Sequence, residues 1–140
     1  MATHANPGFA ADLGKLVLRL SLGTLLLLHG IAKVIGGPAS ILALVEKTGL
    51  PPSLGYFVYV GEVLAPLLVI VGVWTRAAAA VIAINMAAAV YLVHRGDLLT
   101  FSKSGGWALE LQGMFFFAAV AVMLLGAGRF SVGGGGGRFN

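Results

Sequence analysis

The sequence contains no cysteine in its 140 residues. Disulfide scaffolds, thiolate-held zinc or iron–sulfur centres and dithiol relays within this chain are thereby excluded. Charge is also scarce. Asp, Glu, Lys and Arg make up 10% of the residues, against roughly 25% in soluble domains. So few charges do not cover a globular surface, which excludes an ordinary soluble enzyme. The nine Lys and Arg are scattered singly, with no basic patch interleaved with aromatics, so nucleic acid is not an expected partner. No GxGxxG follows a strand and no phosphate loop is present, so a nucleotide cofactor is not expected. HxxxH, CxxCH and paired ExxH motifs are missing too, which argues against a metal or haem on His29 and His94.

Hydrophobic residues make up 59% of the chain and mean hydropathy is +0.97. That content is too high for disorder. Four apolar runs stand out at 13–35, 54–74, 77–94 and 107–127. A spanning helix needs about 20 such residues. Unbroken stretches such as Leu25-Leu26-Leu27-Leu28 contradict the alternation of a membrane barrel. The expected fold is an all-α membrane protein, a four-transmembrane-helix bundle over 13–129. Only Thr75 and Arg76 separate runs two and three, which predicts a tight helical hairpin. The 36–53 connection holds a short segment, 41–47, bracketed by Pro38 and Pro51-Pro52 and suited to lying on the membrane surface. Residues 1–12 are expected to be a flexible N-terminus. Residues 130–140, with Gly133 to Gly137 in one run, are expected to be a flexible glycine-rich tail. Lys15 and Arg19 before Leu20–Leu28 resemble a signal peptide's opening, but His29 and Lys33 follow and no small-x-small site closes the segment. Four spans put both termini on one side. That side holds five Lys and Arg and the other four, a small excess that favours cytoplasmic termini. Trp74 and Trp107 stand at span ends, as interfacial aromatics do.

Ionisable residues inside spans cost about 2.5–3.5 kcal/mol each on insertion scales and are functional candidates by default. With the 36–53 and 95–106 loops taken as outer, His29 lies roughly 9 Å deep, Glu62 roughly 12 Å and Glu110 roughly 5 Å at 1.5 Å per residue. Lys33 is one turn above His29 on the same face, and His94 ends run three. Residues from four runs thus gather in the outer half. Pro66 lacks the N–H that would bond the Glu62 carbonyl, so Glu62 is expected beside a kink with a freed carbonyl. Two readings of Glu62 stay open: a ligand site, or a carboxylate neutralised by Lys33 or Arg19 to lock the bundle. Arg19 shares a helical stripe with Lys33, and either snorkels inward or binds an anion. Asn85, at mid-run, fits a helix–helix polar contact. Ala79, Ala83 and Ala87 form a small-residue ridge suited to close packing. Phe115–Phe117 and Met123 read as packing or lipid-facing residues.

The run LVLRLSLGTLLLLHGIAKV, with Arg19, Gly23, His29, Gly30 and Lys33, resembles the opening of DoxX-family membrane proteins. GEVLAPLLVIVGVWTRAAA and INMAAAVYLVH continue the resemblance through Glu62, Gly72, Thr75, Arg76, Asn85, Met86 and His94. The resemblance implies a four-span, multi-pass protein of the bacterial inner (plasma) membrane. It also implies a link to the DoxD-type subunit of a thiosulfate:quinone oxidoreductase, to MauE-like proteins and to thiol-redox complexes. The expected function is a membrane subunit associated with redox chemistry that binds a quinone or small anion in a polar outer-half pocket. Its catalytic residues would be Glu62 and His29, and its ligand-binding residues Arg19, Lys33, Asn85, His94 and Glu110. A quinone is the expected cofactor, with no metal and no covalent group. The lipid bilayer, a redox partner protein and a homo-oligomer are the expected associations. The alternative is a non-catalytic membrane scaffold or a small-solute permease component.

Overall fold

A computed structural model describes residues 7–140. The first six residues of the expected flexible N-terminus lie outside the described residues. Among those described, five helices form: α1 (Pro7–Gly36), α2 (Ala39–Glu46), α3 (Pro52–Val71), α4 (Thr75–Asp97) and α5 (Glu110–Leu125). Proline at the start of α1 suits a first helical turn, where no N–H is needed. Gly37, with φ 76°, and then Pro38 end it. The expected surface segment is α2, an eight-residue helix at the outer end.

Three helices are long and apolar enough to cross a membrane: α1, α3 and α4. The fourth apolar run makes a shorter helix of 16 residues, about 24 Å long, against a hydrocarbon core of about 30 Å. It starts late because Trp107–Leu109 form a turn closed by Glu110 N–H to Trp107 O at 3.1 Å. It stops at Gly126, whose φ of 75° and ψ of −173° no helix continues. The 3–4 hairpin turns on Gly72, whose φ of 79° costs glycine little.

One stripe of α1, Arg19, Leu22, Gly23, Leu26 and Gly30, is buried at helical spacing. It meets Ala65 and Val69 of α3, Ala78, Ala79, Ile82, Ala83 and Met86 of α4, and Phe115, Ala119 and Val122 of α5. The other faces expose Leu25, Leu28, Ile35, Leu67, Ile84, Met114, Phe117 and Leu124. Apolar outer faces with the few buried polar residues of the helices, Arg19, Glu62 and Thr75, turned inward are the arrangement for lipid rather than water. Of the alanine ridge, Ala79 and Ala83 enter the core, whereas Ala87 is exposed.

The chain end packs onto the inner face. Val132 and Gly133 N–H groups bond the carbonyls of Val71 and Gly72. Asn140 is buried and its Oδ1 accepts from the Thr75 hydroxyl at 2.9 Å. Arg76 reaches Asn140 O and Met123 O. The glycine-rich tail therefore has defined contacts with the 72–76 turn.

α1 and α3 meet at glycine. A Cβ on Gly30 would lie 2.1 Å from the Glu62 carbonyl oxygen, and one on Gly23 would lie 2.5 Å from Ile70 Cγ1. The first obstacle is backbone and cannot rotate away. Gly30→Ala is therefore expected to destabilise the bundle by about 1–3 kcal/mol, the usual range for overpacking. Gly14→Ala, where nothing lies within 4 Å, should be neutral or stabilising by up to about 1 kcal/mol. Thermal melts of the two variants in the same detergent check this; equal melts would contradict it.

Candidate functional site: a buried ion pair between two cavities

Glu62 sits in a π turn of α3, Val60–Leu64, closed by Ala65 N–H to Val60 O. Pro66 follows four residues later and supplies no N–H to the Glu62 carbonyl. The widened turn and the proline together take this backbone out of the regular ladder. Such π turns recur at functional sites because they re-aim side chains at low cost. Gly30 lies against the freed carbonyl, close enough for a Cα–H···O contact.

The Glu62 residue is 3% exposed. Lys33 Nζ reaches both its carboxylate oxygens, at 2.5 and 2.6 Å. Asn85 Nδ2 donates to Oε1 from α4 at 3.4 Å, and Gly61 permits that approach, since a Cβ there would lie 2.4 Å from Asn85 Cγ. Lys33 is the open partner, with 38% of its side chain exposed. The Tyr59 hydroxyl, which donates to the Lys33 carbonyl at 3.3 Å, ties α3 to the same turn of α1. An ammonium has three donors, and the structure commits two of them to Glu62.

Two cavities flank the pair. The first, about 130 Å³, is lined by His29, Lys33, Glu62, Met86, His94 and Gln112, with Leu26, Ala89, Leu111 and Phe115 completing its wall. The second, about 270 Å³, lies under α2 and also touches Lys33, Glu62, Asn85 and His94. His29 Nδ1 bonds Leu25 O at 2.9 Å. That carbonyl can only accept, so Nδ1 carries the proton and Nε2 of the neutral ring remains an acceptor. The His29 ring stands edge-on to Phe115 at 5.5 Å. His94 closes a second π turn, Val90–His94, and its Nδ1 meets Asp97 Oδ2 at 3.2 Å.

Glu62, Lys33, His29, Asn85 and His94 are thus brought together. Arg19 and Glu110 are not. Arg19 is 1% exposed and lies toward the inner end, where its guanidinium donates to four carbonyls: Val69, Ile70, Ala127 and Phe130. The first two belong to the last turn of α3, where carbonyls lack helical partners. Arg19 neither snorkels nor faces the cavities; it binds backbone. Glu110 is exposed, and its Oε1 accepts the Trp107 N–H at 3.1 Å, clamping the turn ahead of α5. Gln112 lines the first cavity without being singled out by sequence reasoning, and Met86, named there only within the family resemblance, lines it too. Gln112 carried a signal, as an amide within an apolar run. Among the described residues no group of three or more His, Asp or Glu is arranged to hold a metal.

The DoxX family model matches residues 14–95, more than half of the chain, and takes in both π turns, His29, His94 and the Lys33–Glu62 pair. No curated protein and no solved structure matches.

Burial makes the pair asymmetric. Removing Lys33 leaves a carboxylate in the interior with only Asn85 beside it; breaking a buried pair this way costs about 3–5 kcal/mol. Removing the Glu62 charge leaves a lysine that water already reaches, with a loss nearer 1 kcal/mol. Lys33→Met is therefore expected to melt well below Glu62→Gln. Equal losses, or a larger loss for Glu62→Gln, would show that the lysine is the desolvated partner.

Proposed function

The chain belongs to the DoxX family, and on that premise we propose a four-span subunit of the bacterial plasma membrane whose outer-half cavity binds a quinone. Three spans are provided by α1, α3 and α4. The fourth is α5, lengthened by the 126–128 segment. That segment is buried, and its Ala127 carbonyl is bonded to Arg19. Non-helical backbone is tolerated at membrane depth on those terms. The small excess of Lys and Arg on the inner side favours cytoplasmic termini.

The observation that carries the reading is a titratable, hydrogen-bonded pair bordered by cavities on two sides. A close-packed lock would have no such space. The donor chemistry suits a planar ring with two carbonyls: Lys33 has an uncommitted ammonium proton, Gln112 an amide, and His29 and His94 supply ring nitrogens. Phe115, Leu26 and Leu111 give the same cavity an apolar wall. A small anion is the poorer fit. The Lys33 charge is matched by both Glu62 oxygens, and Arg19 is committed to carbonyls at the other end. A bound quinone would supply two-electron, two-proton redox chemistry. In that setting Lys33 orients a ligand carbonyl, and Glu62 holds a proton within reach of it. When Glu62 takes a proton it weakens its hold on the ammonium, which frees Lys33 to donate to the ligand. Electrons come from a redox partner protein, because cysteine and nucleotide motifs are missing from the chain.

Calorimetric titration of the purified protein with a tail-less benzoquinone tests this. Wild type should bind. Lys33→Met should bind at least about tenfold more weakly, as expected for losing a charge-assisted hydrogen bond, whereas Glu62→Gln, neutral like the protonated carboxyl, should still bind. Glu46→Gln, on exposed α2, should bind like wild type. If the protein binds no quinone, or Lys33→Met binds as wild type does, the membrane scaffold or permease reading takes its place.

A further inference from the structure

A third cavity, about 300 Å³, runs between α4 and α5 beside the polar one. Its lining is almost wholly apolar: Ala87, Val90, Leu98, Phe116 and Phe117 contribute, and Tyr91 and Phe117 on its rim are each 66% exposed. Met86 and Gln112 line both this groove and the polar cavity, so these two side chains form the wall between them. The groove is a built feature. Trp107 roofs it, fixed by its indole N–H bond to Leu98 O at 2.8 Å. Gly113 lets the indole lie close to α5, since a Cβ there would be 2.7 Å from Trp107 Cζ3. The groove opens on the side of the bundle where Tyr91 of α4 and Phe117 of α5 are exposed.

We infer that this groove holds the apolar tail of the ligand whose polar ring occupies the Lys33–Glu62 cavity, and that the ligand enters sideways from the bilayer between α4 and α5. The inference rests on the quinone reading above and narrows the ligand class to a ring bearing a long hydrocarbon chain. Methionine is unbranched and adaptable, so Met86 can move aside while Gln112 turns its amide toward the ring. The apolar lining offers a hydrocarbon tail the same surroundings as the bilayer it leaves. Tyr91 and Arg95 also line the groove, and Gln112 is the polar side chain that it shares with the polar cavity.

The test uses the full chain with Trp74→Phe, leaving Trp107 as the only tryptophan. Quenching of its fluorescence is titrated with a tail-less benzoquinone and with the same ring carrying a ten-carbon chain, in one detergent. Ala87→Phe fills the groove without touching the polar cavity. It should weaken binding of the tailed ring at least about tenfold and leave the tail-less ring within about twofold. Phe117→Ala, which removes a rim ring from an exposed position, should weaken only the tailed form and gives the same readout if Ala87→Phe does not fold. Ala77→Phe, exposed on α4 away from the groove, should change neither. If the groove variants bind the tailed ring as tightly as wild type, the tail lies elsewhere and the inference falls, while the ring site stands. If the tail-less ring does not bind wild type, the quinone reading falls and this inference falls with it.

Discussion

Wherever this chain leaves regular helix inside its apolar bundle, the backbone groups it frees must find partners, because a bilayer interior offers no water. Two places show how that demand organises the structure. At the inner end, Arg19 serves the last carbonyls of α3 and the extended segment after α5. One guanidinium thereby joins α1, α3 and the segment after α5, while Arg76 serves the Met123 carbonyl in the last turn of α5. In the outer half, the π turn and Pro66 interrupt α3 at Glu62, and Gly30 brings α1 against the Glu62 carbonyl. The first departure is closed with bonds on all sides. The second is bordered by cavities.

Membrane residence and the helical class were legible in composition, since a chain with so few charges has little else it can do. A cationic partner for Glu62 was legible as well, with Lys33 and Arg19 both open, and the structure places Lys33 there. The length of α5 was not. Its start depends on the Glu110 clamp on Trp107, and its end on a glycine whose conformation the packing decides. Arg19 lay on the expected stripe, but its partners are carbonyls, and no side-chain pattern reveals which carbonyls lack a helical bond. The glycine run read as a linker, whereas Asn140 beyond it bonds Thr75 and Arg76. Spacing gave no hint of that return. Gln112 went unremarked in the sequence, and the cavity it borders gives it a role.

The Lys33–Glu62 pair combines features that are costly to keep together. Its carboxylate is desolvated, its ammonium is half open, and space remains on both sides. A bundle selected for stability alone would fill that space with apolar side chains, which often stabilise as well as a buried ion pair does. Retaining a titratable pair beside a cavity suits proton exchange with a bound molecule. The clustering of His29, His94 and Gln112 around one cavity extends the same chemistry across α1, α4 and α5.

The central claim is that Glu62 faces a ligand and exchanges protons with it. Infrared difference spectroscopy reads the carboxyl group itself. Adding a benzoquinone to the wild-type protein is predicted to shift a carboxyl band that is missing from the Glu62→Gln difference spectrum. A spectrum in which quinone leaves the Glu62 band unmoved, although binding is measured by calorimetry, would place the ligand elsewhere and return the pair to a purely structural role.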